Sequence, residues 1–176
     1  IYSAAAYVLG LKQKNKRLIK SAENGVFANE VLVTVASIVL FYALITSDFS
    51  IKYVAQYTNR ALPLFYKFSA FWAGKSGSLL LWYWLLSIYA AIVALSKKPE
   101  DADLKPYASL IMMAIAAFFA AMLNFSSNPF VELGFTPQDG QGLNPMLQNI
   151  GMVFHPITLY FGFVGFTVPF SYAVSA

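Results

Sequence analysis

Cysteine is absent from this chain of 176 residues, and histidine occurs once. Without cysteine the protein forms no disulfide and offers no thiolate nucleophile or thiolate metal ligand. Charged residues are scarce as well, at 11% of the sequence, and they include no paired carboxylates and no nucleophile–base pair. The chain therefore cannot build a complete acid–base site or a two-histidine metal site from its own residues.

Apolar side chains are what the sequence has in abundance. Hydrophobic residues make up 59% of the chain and aromatic residues 17%, and the charged residues fall in gaps between long apolar runs. This composition is typical of a membrane protein. A net charge of +4 is modest, and the basic residues do not form one face of a soluble domain. We therefore expect contact with a lipid bilayer and no nucleic-acid partner.

Four apolar segments are long enough, or nearly so, to cross a bilayer, whose hydrocarbon core of ~30 Å needs about 20 helical residues. Residues 1–11 are also apolar but too short to span. The sequence predicts an all-α integral membrane protein, a polytopic helical bundle with about four transmembrane helices after a truncated first helix. We expect one transmembrane domain over residues 1–176, the N-terminal part of a longer or split protein. The predicted spans are 26–46, 78–95, 107–125 and 152–176.

The basic residues predict which way the spans run. The loops at about 12–25 and 96–106 together carry eight of the twelve lysines and arginines. Because positive charge is enriched on the cytoplasmic side, we expect these loops to be cytoplasmic. The loops at about 47–75 and 126–151 then lie outside, which places the single histidine on the external side.

His155 lies at the border between the second external loop and the last span, and Pro156 follows it. A residue before proline is kept out of the α region, and proline is favoured at the first helical position. We therefore expect His155 at the N-cap of the last helix or just before it. If the helix begins at Met152 instead, Pro156 falls within its first turns and His155 stays near the same border. The partial positive charge there disfavours imidazolium, and a neutral imidazole can ligate a metal. By residue chemistry alone, a histidine that only hydrogen-bonds a loop carbonyl is the commoner arrangement.

Two other features have competing interpretations. Trp72, Trp82 and Trp84 are typical of interfacial aromatic anchors, and they could also give a flat surface on which a planar cofactor stacks. Gly74-Lys75-Ser76 resembles the end of a phosphate-binding loop. The place of the first glycine of that loop is held by Ser69, and an apolar helix follows, so we reject nucleotide binding.

Two stretches resemble one known family, the CcmF-type haem lyases of cytochrome c maturation. The segment FSAFWAGKSGSLLLW, residues 68–82, is similar to a family stretch that ends in Gly-Ser-Leu-Leu-Leu-Trp. Residues 128–170 resemble the family's next block even more closely, because six short elements match in order. These are Asn128-Pro129-Phe130, Gly142-Leu143-Asn144-Pro145, Leu147-Gln148, Phe154-His155-Pro156, Leu159-Tyr160 and Gly165-Phe166.

The resemblance implies a multi-pass protein of the cytoplasmic (inner) membrane that takes haem b from a haem chaperone. The haem is presented at the periplasmic face, where its vinyl groups join the two thiols of a Cys-x-x-Cys-His motif on apocytochrome c. Other maturation-complex membrane subunits, or the remainder of the same lyase, are the further partners implied. His155 is then an axial ligand of the haem iron. Trp72, Asn144 and Tyr160 are the further haem-binding residues that we predict.

Two departures from the family pattern bear on this interpretation. Lys75-Ser76 stands where the family usually has other residues, often His or Gln followed by an acidic residue. The tryptophan-rich haem-handling motif and the family's other histidines are not in this chain. We therefore assign no catalytic residue and expect the chain alone to be inactive as a lyase. The alternatives are a segment of a haem transporter or exporter, and a structural membrane subunit that ligates no haem.

Overall fold

The computed structural model describes every residue from Ile1 to Ala176. It is built of α-helices joined by turns and by one longer segment, residues 126–149. It has no β-strand, only an isolated antiparallel bridge between Ile51 and Glu132. The all-α prediction is therefore confirmed. The eight helices are α1 (Tyr2–Lys12), α2 (Lys16–Thr46), α3 (Lys52–Tyr57), α4 (Leu64–Ser69), α5 (Lys75–Leu95), α6 (Lys105–Phe125), α7 (Ile150–Gly165) and α8 (Thr167–Ser175).

Four helical segments are long and apolar enough to cross a membrane, as the sequence predicted. They are α2, α5, α6 and the α7–α8 pair, which is interrupted at Phe166. α5 packs between α2 and α6, α1 packs on α2 and α6, and α8 packs on α6. α7 rests mainly on α5. The most deeply buried large side chains, from several of these elements, include Tyr7, Leu40, Leu44, Phe71, Leu86 and Met112.

The predicted cytoplasmic loop 12–25 is wrong in its extent, because most of it is helical. α2 begins at Lys16, and the side chain of Asn15 caps it by accepting hydrogen bonds from the backbone N–H groups of Arg17 and Leu18. Asparagine is a preferred N-cap, and lysine and arginine are good helix formers. Hydropathy finds the apolar part of α2 and misses its polar first turns. The true loop between α1 and α2 is residues 13–15.

Side-chain hydrogen bonds connect α2 with the neighbouring span α5. The Trp84 indole N–H donates to the Thr34 hydroxyl over 2.6 Å, and the Tyr83 hydroxyl donates to the Asn29 side-chain carbonyl. Both join α2 to α5. In an apolar environment an unmet donor is costly, so paired donors of this kind hold two helices in one register.

The predicted external loop 47–75 is an ordered layer that contains α3 and α4. Its backbone pairs with the second external segment at several points, for example Lys52 N–H to Val131 C=O at 2.9 Å and Gln141 N–H to Ala55 C=O at 2.8 Å. Gly140 lies so close to this layer that a Cβ there would be 2.0 Å from the Thr58 carbonyl oxygen. Residues 47–75 and 126–151 therefore form one covering layer over this end of the bundle. We call it the external layer, after the side on which the basic residues predict that it lies.

This packing makes one glycine substitution much more damaging than another. Gly140→Ala should lower stability by about 1–3 kcal/mol, because the methyl group meets backbone that cannot move away. Gly134→Ala is the matched control, since a Cβ at Gly134 meets nothing within 4 Å. Thermal unfolding in detergent and limited proteolysis of the external segments measure the difference. Equal stability of the two variants would show that the segments are not packed in this way.

Candidate functional site

His155 lies inside α7 and not at its N-cap, so the predicted N-cap position is wrong and the alternative of an earlier helix start is the one that the structure resembles. α7 begins at Ile150, and the Asn149 side chain caps it by accepting from the Gly151 N–H over 2.8 Å. Pro156 is tolerated within the helix at the cost of one backbone hydrogen bond. His155 is therefore about 8 Å along the helix from its first residue. The partial positive charge of a helix N-terminus is confined to the first turn, so it does not reach His155.

The imidazole of His155 makes no hydrogen bond within the chain. The side chain is exposed, and the residue's only side-chain partner acts on its backbone, where the Thr158 hydroxyl donates to the His155 carbonyl over 2.9 Å. The commoner interpretation, a histidine held by a loop carbonyl, is thus not what the structure shows. Both ring nitrogens are free to bind a group from outside the chain.

The face of α7 that carries His155 is open. At about 100° per residue, His155 falls on the same side of the helix as Gly151, Leu159 and Gly162. All four are exposed, and a Cβ at Gly162 would meet nothing within 4 Å. We call these four residues the open face of α7. Val153 is buried and lies on the opposite side, against the bundle.

Tyr160, a predicted haem-binding residue, lies on the bundle side of α7. Its ring packs edge-on against Trp82 of α5, with centroids 5.7 Å apart. Together with Lys75, Ser78 and Leu79 these rings line a shallow cavity of about 370 Å³. The structure therefore does not bring Tyr160 and His155 to one site.

Trp72 also lies away from the open face. It belongs to the 3₁₀ turn between α4 and α5, and its indole N–H is buried without a partner. Its ring borders an apolar cleft of about 470 Å³ between α4 and the first turns of α7. The other lining residues are Leu64, Phe65, Phe68, Val153, Phe154 and Ile157.

The aromatic residues of this cleft were missed from the sequence. In α4 the usual burial of apolar and charged side chains is reversed, because Phe65 and Phe68 are exposed while Lys67 is buried. The Lys67 ammonium donates to the Ser47 hydroxyl over 2.6 Å, just after the last turn of α2. A cation at a helix C-terminus is electrostatically favourable, which compensates for its burial. The repeated Phe-x-x-Phe spacing was the available signal, and it is too short to separate a cleft wall from a core.

Asn144 shapes the approach to α7. Its side-chain oxygen accepts from the Met146 N–H over 3.0 Å and starts the 3₁₀ turn Pro145–Leu147. Just beyond that turn, the Tyr66 hydroxyl donates to the Gln148 carbonyl over 3.1 Å. α4 therefore holds the segment that leads into α7. Asn144 is exposed and engaged with its own loop, so its contribution here is to loop geometry.

Asp139 ties the same external segment to the layer beneath it. Its carboxylate accepts from the backbone N–H groups of Arg60 and Gly140, at 2.9 and 2.8 Å. These hydrogen bonds stabilise the charged form and lower the pKa of Asp139, with the Arg60 amide the largest cause. The Arg60 guanidinium in turn donates to the Gln138 carbonyl over 3.0 Å.

Comparison with known proteins gives consistent matches. Residues 72–176 match the family model described as cytochrome C assembly protein. The chain is 38% identical over 170 residues to the cytochrome c-type biogenesis protein CcmF of Haemophilus influenzae, covering 95% of this chain and 26% of that protein. It is 40% identical over 169 residues to the cytochrome c-type biogenesis protein CycK of Rhizobium meliloti, covering 96% of this chain and 25% of that protein.

A solved structure, that of the cytochrome c heme lyase CcmF, is also similar. It covers 99% of this chain with a TM-score of 0.82 at 28% identity, and the match takes in 27% of that chain. The apolar helical bundle and these matches define a multi-pass membrane protein of cytochrome c biogenesis. The chain belongs to the cytochrome c assembly protein family, and its resemblance to CcmF-type proteins is confirmed. It spans about a quarter of the length of the curated relatives it matches.

The lowered pKa of Asp139 predicts how the external layer responds to acid. A carboxyl whose pKa is lower in the folded state stabilises that state above its unfolded pKa of about 3.9. The contribution is lost as pH falls through the lower, folded value. Hydrogen-exchange protection of the Arg60 and Gly140 amides should therefore be strong at neutral pH and decline below about pH 4.

The control for this titration is Asp139→Asn, which keeps an acceptor oxygen but has no titrating group. The variant should show weaker protection at neutral pH, because a charged acceptor binds more strongly than a neutral one. It should also show a flatter dependence on pH. An unchanged pH profile in the variant would mean that another group controls the loop.

Proposed function

We propose that this chain is the part of a cytochrome c haem lyase that holds haem through His155 on the open face of α7. The observation that carries the proposal is a single, exposed imidazole with no partner, on a helix face that nothing else in the chain covers. The family relationship supports it, since the similar solved structure is described as a cytochrome c heme lyase. In this function haem b is the substrate, received from a haem chaperone.

The residues around His155 fit a large planar ligand. Gly151 lies one helical turn before His155 and has no side chain, while Leu159 lies one turn after it and adds apolar surface. Gly162, a further turn along, also leaves the helix surface flat. A flat, mostly apolar face beside one free nitrogen ligand suits an iron porphyrin, because imidazole binds haem iron well and the ring needs apolar contact.

The chain supplies only part of the site. It has no second histidine and no cluster of metal-ligating side chains, so a second axial ligand must come from elsewhere. Trp72 and Tyr160 line cavities on the bundle side of α7 and support the helix there, and they do not contact the haem face. Their predicted role as haem-binding residues is therefore not part of this proposal.

His155 acts in this function by positioning. Coordination fixes where the iron lies and how the porphyrin plane is turned, which brings the vinyl groups to a defined place beside the incoming thiols of apocytochrome c. Addition of a thiol across a vinyl double bond forms a thioether without a leaving group and without an external oxidant or reductant. In this function His155 acts at the external, periplasmic side of the inner membrane, and the excess of lysine and arginine in the loops at the opposite end supports that orientation.

A haem titration of the purified chain tests the ligand assignment without any lyase activity. Imidazole is added to supply the missing second ligand. The unmodified chain should retain haem through gel filtration and show the spectrum of six-coordinate, low-spin iron. His155→Ala should lose at least about tenfold in haem affinity, because one of the two iron ligands is removed.

Leu159→Ala is the matched control, because it alters the same open face and removes no ligand. It should keep the low-spin spectrum with a modest loss of affinity. Equal retention of haem by the His155→Ala variant would contradict ligation. In the complete lyase, His155→Ala should abolish holocytochrome formation while membrane insertion is kept. Haem flux across vesicles without thioether formation would favour the transporter alternative instead.

A further inference from the structure

The tip of the α1–α2 hairpin carries four cations with no acidic neighbour to neutralise them. Lys12 ends α1, Lys14 lies in the turn, and Lys16 and Arg17 begin α2. All four are exposed, and none of them forms a salt bridge. We call these four residues the basic tip. It lies at the opposite end of the bundle from His155 and takes no part in the function proposed above.

Glu23, the first acidic residue of the chain, is already paired with two other lysines. Glu23 receives the Lys20 ammonium at 2.9 Å and the Lys105 ammonium at 3.4 Å, one on each carboxylate oxygen. The adjoining loop between α5 and α6 has three carboxylates and two lysines that are not engaged with Glu23. Its carboxylates are Glu100, Asp101 and Asp103, and none of them forms a salt bridge with the basic tip.

The backbone at the basic tip adds to its positive potential. Lys16 and Arg17 occupy the first turn of α2, which contains no acidic residue. A helix N-terminus carries partial positive charge, so cations there are unfavourable and an anion is stabilised. Like charges at this spacing also repel one another. No carboxylate of the chain pairs with the basic tip, so its positive charge has no counter-charge within the protein.

The α1–α2 hairpin fixes the backbone of the basic tip close to an exposed apolar surface. α1 and α2 pack so tightly that a Cβ at Gly10 would come within 2.9 Å of the Ile19 side chain. Val8 and Leu9 are about half exposed one turn before Lys12, which suits contact with acyl chains. Cations one turn beyond an apolar, lipid-facing surface reach the phosphate layer.

We propose that the basic tip binds the phosphate headgroups of anionic phospholipids in the adjacent leaflet. The hairpin presents the four cations already assembled, so binding orders little of the chain. The interaction is electrostatic, and it is therefore weakened by salt. It anchors the α1–α2 hairpin at a fixed depth, which in turn fixes the height of α2 in the bilayer.

The test uses the purified chain in a neutral detergent, titrated with phosphatidylglycerol or with zwitterionic phosphatidylcholine. Native mass spectrometry measures the lipid bound, and thermal unfolding measures the stabilisation. The chain should bind phosphatidylglycerol at least about tenfold more tightly than phosphatidylcholine, since each of the four cations adds to the affinity for an anionic headgroup. The preference should disappear in about 0.5 M salt, where screening is strong. Inorganic phosphate at the same concentration should give no stabilisation.

A quadruple variant that replaces the basic tip by glutamine should lose the preference for phosphatidylglycerol. Asn15 is kept, so α2 retains its cap, and circular dichroism checks the helix content. The matched control removes four exposed lysines elsewhere and should keep the preference: Lys52→Gln, Lys75→Gln, Lys97→Gln and Lys98→Gln. Equal lipid preference in the two variants would overturn the proposal. Equal stabilisation by inorganic phosphate and by the lipid would overturn it as well, because the membrane would then not be the partner.

Discussion

The hydrocarbon core of a bilayer contains no water that could hydrogen-bond the backbone, and the rest of this structure depends on that constraint. Within the hydrocarbon each N–H and C=O must pair inside its own segment, which in this chain means an α-helix. Of 127 backbone hydrogen bonds, 95 lie within helices, so the irregular chain is left to the two ends of the bundle. There the external segments pair with each other, through contacts such as Lys52 to Val131 and Gln141 to Ala55.

The helices are unequally covered by the rest of the chain. In their most apolar windows, 44% of the residues of α5 and 39% of those of α6 are buried, but only 11% along the α7–α8 pair. α7 therefore meets the bundle on one side and leaves the other side open. The external layer and the Asn149 cap decide where α7 begins, and the packing of its other side against α5 leaves His155 facing away from the bundle. The incomplete covering of α7 and the free imidazole are thus two aspects of one arrangement.

The sequence predicts the spans well because hydropathy over about 20 residues is a strong signal. The polar residues at the ends of a span are a weaker signal of where its helix begins or ends. The first turns of α2 were placed in a loop because their lysine-rich sequence has low hydropathy. Asn15 as an N-cap and the charged residues after it nevertheless favour a helix. His155 was placed at a helix start because Pro156 looked like a first helical residue. Asn149 is the better cap six residues earlier, and the helix runs through the proline.

The sequence by itself determined the class of protein, the number of spans, the single histidine and the family resemblance. These follow from composition and from residues that are close together in the chain. Only the tertiary structure decided that Trp72 and Tyr160 lie on the bundle side of α7 while His155 lies on the open one. Whether a helical residue meets a neighbour depends on which helix packs there, and that is set by contacts such as Tyr160 with Trp82. Spacing along one helix does not contain this information.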